Sequence, residues 1–254
     1  MSELRADPTC RESIILVGGL GTRLRSVVSD VPKPMAPVGG RPFVFHLIDY
    51  WNQQGIERFV LASSYLHEVI QEGVTHSDMK PDIAISVEPS RMGTGGGLLW
   101  ASKMLKYQRN PVLVMNGDSF IDLSLPRLEA FHREQGADLT ICLLRVSASG
   151  RYSPVELGSD GKVVSFGTAN RIEKGEVWIN AGVYMMAPAL LHGTKWKPGD
   201  SFSLEGEVVP ELLASGKKVF GFKCVNSEFI DIGVPEDLAR AQRMVRFSTR
   251  GRGV

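Results

Sequence analysis

Seven consecutive residues, Gly18-Gly19-Leu20-Gly21-Thr22-Arg23-Leu24, combine three glycines with a cation. Glycine lets backbone N–H groups come close to a polyphosphate, and consecutive N–H groups form a nest for anions. The string is not a dinucleotide fingerprint, because GxGxxG would need glycine where Leu24 stands, and the chain contains no GxxxxGK[ST]. In place of a P-loop lysine there is Arg23, with Lys33 ten residues on in Pro32-Lys33-Pro34. Two cations beside one glycine-rich turn can neutralise a triphosphate and the charge that develops on a leaving pyrophosphate. For a bare loop of this kind, a solvated turn with surface charges is the plain alternative. Two carboxylates suit the same chemistry. Asp118 ends an apolar run in Asn116-Gly117-Asp118, and Asp231 lies in the short apolar run Phe229-Ile230-Asp231-Ile232. Mg²⁺ takes one or two carboxylates together with phosphate oxygens and water, so one carboxylate at each of two strand ends would serve it. Taken alone, Asp231 reads more readily as a cap or an ion-pair partner.

These residues need strands that end at one place. The run at 13–17 is short, β-branched and stopped by Gly18-Gly19, which predicts a buried strand entering a tight loop. Phe43, Leu47, Ile48 and Trp51 recur at helical spacing within 42–54, before Gly55. The alternation then repeats, with strands expected at 59–62, 83–88 and 111–115 and helices at 65–71, 96–106 and 126–135. Such βαβ units predict a parallel central sheet with right-handed crossovers. The second half is more antiparallel. A long strand is expected at 139–146, a hairpin over 155–166 turning at Asp160-Gly161, a strand at 179–186 and helices at 204–214 and 235–246. In open α/β sheets ligands bind beyond the carboxyl ends of the strands. Gly18, Glu88, Asn116-Gly117-Asp118 and Asp231 all stand at predicted ends of that kind.

Composition narrows the function classes. In 254 residues, 29 Lys plus Arg stand against 28 Asp plus Glu, so no bulk field grips nucleic acid. No apolar run is long enough to span a bilayer, and residues 1–12 are polar without the apolar stretch of a signal peptide. Cys10, Cys142 and Cys224 form no CxxC pair and read as reduced thiols. The expectation is a cytoplasmic protein with a single α/β domain and neither nucleic-acid nor membrane partners. Trp51, Trp100 and Met185-Met186 read as core filling, and the five histidines share no metal-ligand spacing.

The loop at 18–24, Pro32-Lys33-Pro34-Met35-Ala36-Pro37-Val38 and Arg41-Pro42 together resemble the sugar-1-phosphate nucleotidylyltransferase family. Four more motifs follow in register: the 88–97 string EPSRMGTGGG, Val114-Met115-Asn116-Gly117-Asp118, Asn180-Ala181-Gly182-Val183-Tyr184, and Phe229-Ile230-Asp231-Ile232-Gly233 before Pro235-Glu236-Asp237. The resemblance implies a Rossmann-like, mixed but mostly parallel sheet of the nucleotide-diphospho-sugar transferase type. It implies a nucleotidyltransferase domain over 13–246, between a polar extension at 1–12 and a tail at 247–254. Catalytic roles fall on Arg23, Lys33 and Asp118. Nucleotide binding falls on Gly18, Gly19, Gly21, Thr22, Arg23, Glu88, Gly93 and Thr94. Asp118 and Asp231 become the Mg²⁺ pair. Sugar-phosphate binding falls on Asn116, Asn180 and Gly182. Many members also carry a lysine in Phe-x-Glu-Lys before that last motif, whereas this chain has Phe166-Gly167-Thr168-Ala169 and then Glu173-Lys174. Lys174 is either that lysine on a shifted loop or a surface lysine.

The implied substrates are a nucleoside triphosphate and a sugar 1-phosphate, and a homodimer is left open. The Glu88 position faces the base in the family. A carboxylate accepts two hydrogen bonds, which matches the N1–H and N2–H donors of guanine and favours GTP over UTP or dTTP. The run from Arg25 to Val38, with Gly93-Thr94-Gly95-Gly96-Gly97, looks most like the D-glycero-α-D-manno-heptose 1-phosphate guanylyltransferases. Mannose 1-phosphate guanylyltransferases and glucose 1-phosphate thymidylyl- or uridylyltransferases are the related alternatives. A non-catalytic nucleotide-sugar sensor is the alternative of another class, and it would not need both cations and both carboxylates.

Overall fold

Strands 13–17, 59–62 and 111–115 are apolar at every position but Ser13 because both of their faces are covered, the usual state of a parallel sheet. Ile14, Val60 and Val114 pair in register and pack into one apolar layer. Ile15, Leu61 and Met115 pair one residue on and pack into the opposite layer. The structure, a computed structural model, describes residues 9–19, 31–147, 154–167, 175–187, 189–192 and 195–243.

In chain order the strands and helices begin with β1 (Glu12–Leu16), the short β2 (Pro37–Val38) and β3 (Arg41–Pro42), and α1 (Phe43–Asn52). They continue with β4 (Arg58–Ser63), α2 (His67–Thr75), β5 (Asp82–Val87), α3 (Gly93–Ala101), β6 (Val112–Asn116), β7 (Ser119–Ile121) and α4 (Leu125–Glu134). Then come β8 (Leu139–Ser147), β9 (Val155–Leu157), β10 (Val163–Phe166), β11 (Glu176–Met186) and α5 (Ala189–His192). The last are α6 (Val209–Ala214), β12 (Val219–Lys223), β13 (Phe229–Asp231) and α7 (Pro235–Arg243).

Among the described residues, the main sheet has the order β12-β8-β11-β6-β1-β4-β5. Only β11 runs antiparallel to its neighbours, so the sheet is mixed and mostly parallel, as expected. From β1 the chain first builds outward through β4 to β5, then crosses back to lay β6 on the other side of β1. The order therefore reverses between β1 and β6, and a crevice opens beyond their carboxyl ends.

Four expectations are corrected. The helix expected at 96–106 starts three residues earlier, at Gly93, and gives way to a 3₁₀ turn at Ser102–Met104. Glycines are poor helix formers, but here the Phe202 carbonyl accepts from both Gly95 N–H (3.0 Å) and Gly96 N–H (3.3 Å) and anchors the first turn. The helix expected at 204–214 splits into a π turn, Leu204–Val208, and α6, because Pro210 has no N–H for the regular ladder. Strand β12 went unread: Gly221 interrupts its apolar residues, and it pairs at the sheet edge with β8. Trp100 is not core. Its indole N–H donates to the Val87 carbonyl (3.1 Å), and the Lys103 ammonium sits 3.6 Å from its ring centroid, a cation–π contact at the surface.

Among the described residues, no helix is long and apolar enough to cross a membrane. One histidine bears on stability. His132 on α4 is 8% exposed, with Nδ1 2.8 Å from Thr140 Oγ1 on β8, and burial pushes its pKa down to about 4. The unfolded chain binds that proton near pH 6.5 and the folded chain only near 4. The stability this residue contributes is therefore full above 6.5 and is lost as pH falls between those values, about 3 kcal/mol in all. Thermal melts from pH 7 to 4 should show a shallower decline for His132→Gln than for the parent. Parallel declines would exclude His132 as a source of acid lability.

Candidate active site

The crevice at the strand-order reversal holds a cavity of about 430 Å³. Its floor comes from the ends of β1 (Leu16), β4 (Ala62) and β6 (Asn116). Around it lie Gly18 and Gly19 after β1, Glu88 after β5, and Gly93 and Thr94 at the start of α3. Lys33, Asp118 and Gly233 close another part of the wall. Residues expected to act together from widely separated motifs thus meet in one depression. Gly21, Thr22, Arg23 and Lys174 lie outside the described residues.

The two aspartates are brought together by a small ribbon rather than by the main sheet. Strands β7 and β13 pair antiparallel, with Ser119 opposite Asp231, and Ile232 N–H donates to the Asp118 carbonyl (3.0 Å). Lys33 enters from the 3₁₀ turn Lys33–Met35, where the flanking Pro32 and Pro34 limit the backbone and Pro34 and Met35 are buried. Its Nζ lies 2.5 Å from Asp118 Oδ2 and 3.3 Å from Asp231 Oδ1. The ammonium is largely buried, with 10% of the side chain exposed, so the three charges sit in partial shelter from water. Gly233 N–H (2.8 Å) further orients Asp231.

Two carboxylates that share one cation fit a hard divalent ion, which completes its shell from phosphate oxygens and water. Among the described residues, no group of three His, Cys, Asp or Glu side chains gathers into a fuller cage. An Mg²⁺ site shared with substrate phosphates fits these donors.

Glu88 is half-buried, and burial raises its pKa above the usual carboxylate value. Its Oε2 accepts Met92 N–H (3.0 Å), a backbone amide just before α3. The other oxygen lies against Gly97 and Gly18: a Cβ built on Gly97 would stand 2.5 Å from Oε1, and one on Gly18 3.3 Å from it. Only glycine at position 97 leaves that oxygen where it is. Ser64, a cavity residue that sequence reasoning missed, donates to the Gly18 carbonyl (3.0 Å) and holds the start of the glycine loop. Arg91 was also missed, although it stands inside the 88–97 string.

Asn180 and Gly182 lie behind the cavity rather than in its lining. The β11–β8 register shifts between Asn180 and Tyr184, and Gly182 sits there with φ +73°. A Cβ on Gly182 would stand 2.8 Å from Asn116 Nδ2, so glycine is required both for the backbone and for the approach of Asn116. Asn180 Oδ1 accepts Gly182 N–H (2.9 Å), and its Nδ2 donates to Tyr184 Oη (2.5 Å). Tyr184 is fully buried, and burial first, then the nearby Glu205 charge, pushes its phenol well up, so it stays protonated. Glu205 gave no signal in the sequence, since one glutamate within an expected helix is unremarkable.

A family model described as Nucleotidyl transferase matches residues 12–247. The chain is 35% identical over 228 residues to the D-glycero-alpha-D-manno-heptose 1-phosphate guanylyltransferase of Campylobacter jejuni, covering 89% of this chain and 96% of that protein. It is 36% identical over 232 residues to the protein of the same name from Aneurinibacillus thermoaerophilus, covering 91% and 97%. Among solved structures, HddC from Yersinia pseudotuberculosis complexed with GMP-PN superposes with a TM-score of 0.79 at 29% identity, covering 93% of this chain and 100% of that one.

Proposed function

The chain belongs to the nucleotidyl transferase family, and from that premise we propose that it transfers GMP from GTP to D-glycero-α-D-manno-heptose 1-phosphate, releasing pyrophosphate. The observation that carries this reading is the convergence of Lys33, Asp118 and Asp231 beside a cavity that also meets Glu88 and the start of the glycine loop. The names of the relatives above support the guanine nucleotide and the heptose. Three free, buried cysteines suit a reducing, cytoplasmic setting.

The chemistry asks for placement more than for proton transfer. A sugar phosphate has its second pKa near 6, so its oxygen is largely ionised at pH 7. That oxygen attacks the α-phosphorus in line. A new P–O bond forms as the bond to the β-bridging oxygen breaks, and pyrophosphate leaves with the electron pair. No general base is needed, and the site's task is to hold two polyanions in line. Gly18 and Gly19, with Gly21, Thr22 and Arg23 further along the same loop, cradle the phosphates in this reading. Gly93 and Thr94 flank the nucleotide. Lys33 neutralises phosphate charge. Asp118 and Asp231 would hold Mg²⁺, which when bound supplies charge neutralisation at the phosphate oxygens. Asn116 faces the sugar phosphate in this reading, braced from behind by Gly182 and Asn180, and Lys174 adds a cation.

Pyrophosphate release with Mg²⁺, measured across four nucleoside triphosphates and several sugar 1-phosphates, tests the proposal. Turnover confined to GTP and the heptose phosphate is expected. Turnover with dTTP or UTP and glucose 1-phosphate would keep the transfer and overturn the specificity. Binding of a nucleotide sugar without any release would overturn catalysis itself.

Glu88 as the reader of guanine gives a further prediction. In Gly97→Ala the new methyl displaces the Glu88 carboxylate, the end of a flexible side chain, while alanine raises helix propensity. Stability should hold or rise slightly, and kcat/KM for GTP should fall about 10-fold, the loss of one good hydrogen-bonded contact. Glu88→Gln should erode the preference for GTP over UTP. Unchanged discrimination among triphosphates in both variants would remove Glu88 from base reading.

A further inference from the structure

The two sides of the cavity are tied through a carboxylate that neither motif contains. Glu205, in the π turn Leu204–Val208, has both oxygens occupied. Its Oε2 accepts from Thr94 Oγ1 (2.7 Å), at the start of α3, and from Ser203 Oγ (3.4 Å). Its Oε1 accepts from Tyr184 Oη (3.0 Å), on β11. Each of the two main donors is itself held from the far side. Thr94 Oγ1 accepts Leu204 N–H (2.9 Å), and Tyr184 Oη accepts from Asn180 Nδ2 (2.5 Å). Both hydroxyl protons therefore point at Glu205, and the line continues from Asn180 to Gly182 N–H, which lies under Asn116.

We propose that Glu205 is a positioning residue that sets the separation between the Thr94 side and the Asn116 side of the cavity, and with it the alignment of the two substrates. This rests on the functional reading above, in which Thr94 flanks the nucleotide and Asn116 the sugar phosphate. An acidic group is the residue type that fits. It accepts from two hydroxyls at once, whereas glutamine would turn an N–H toward one of them and reverse that bond. A displacement on the order of 1 Å between reacting groups can reduce turnover about 100-fold, so a tie of this kind acts on rate more than on affinity.

The test is a kinetic double-mutant cycle on the full chain, with melting temperature followed alongside. Thr94→Ala and Tyr184→Phe touch Glu205 from opposite sides and do not touch each other. Each should lower kcat about 10-fold, Tyr184→Phe with both KM values within about threefold, and the double variant should lose little beyond either single one, as groups acting as a unit do. Glu205→Gln should match them, which tests the tie without removing side-chain volume. Multiplicative losses in the double variant would overturn the proposal. So would variants with lower melting temperatures but parental kcat, the signature of a purely structural network. The parent enzyme is the control for the reading beneath it: a parent that releases no pyrophosphate overturns the functional reading and this proposal together, whereas an active parent with independent losses overturns this proposal alone.

Discussion

Asp118→Asn is expected to lower turnover at least about 100-fold while leaving the protein folded, the size of effect seen when one electrostatic stabiliser of a transition state is lost. Asparagine keeps the shape of the side chain and an oxygen for Ser119 Oγ, which lies 3.2 Å from Oδ1. The backbone carbonyl that receives Ile232 N–H is untouched, so the ribbon of β7 and β13 survives. What disappears is one of two negative charges converging on Lys33. Pyrophosphate release at saturating substrate is the measurement, with the melting temperature as the control for folding. Near-parental turnover would remove Asp118 from the mechanism.

Lys33→Met separates two roles of one side chain. Methionine fills similar volume without charge, so Asp118 and Asp231 both lose the ammonium that they contact. Turnover should fall about 100-fold through loss of phosphate neutralisation. Stability should fall by about 1–3 kcal/mol, the range for leaving a partly buried polar group uncompensated. Millimolar Mg²⁺ should then raise the melting temperature of the variant more than that of the parent, because binding to the folded state alone stabilises it. Equal responses of the two proteins would mean that the paired carboxylates do not act as a cation site.

The elements most legible in the sequence are those whose local signal and buried position agree. Strands β1, β4 and β6 are short, largely apolar runs, and their ends lie within a residue or so of expectation. The start of α3 was hidden because Gly93 and Gly95 read as loop, and the contact that anchors its first turn is made by Phe202, about a hundred residues away. The same holds for the π turn before α6, where one missing N–H at Pro210 changes the ladder. In the site, Lys33 and Asp118 are legible from residue type and position, whereas Glu88 and Asp231 are legible only through the family resemblance. Their meeting place was not legible, since it depends on the pairing of β13 with β7, a three-residue strand that carries no signal of its own. Tyr184 lay within a motif that drew attention to its other members, and Glu205 lay in none. The network they build exists only after the chain has folded back on itself.

The ribbon of β7 and β13 also sets a timetable. Asp118 and Asp231 are about 110 residues apart along the chain, and at ribosomal rates of about 5–20 residues per second the second follows the first by roughly 6–20 s. Through that interval β1, β4, β5 and β6 are all available to pair, and the floor of the crevice can be complete while its acidic pair is not. In the proposed mechanism, emergence of β13 is therefore the step that completes the cation site. A chain released before Phe229 would contain every strand of the main sheet but lack the second carboxylate, and on that reading it is expected to release no pyrophosphate.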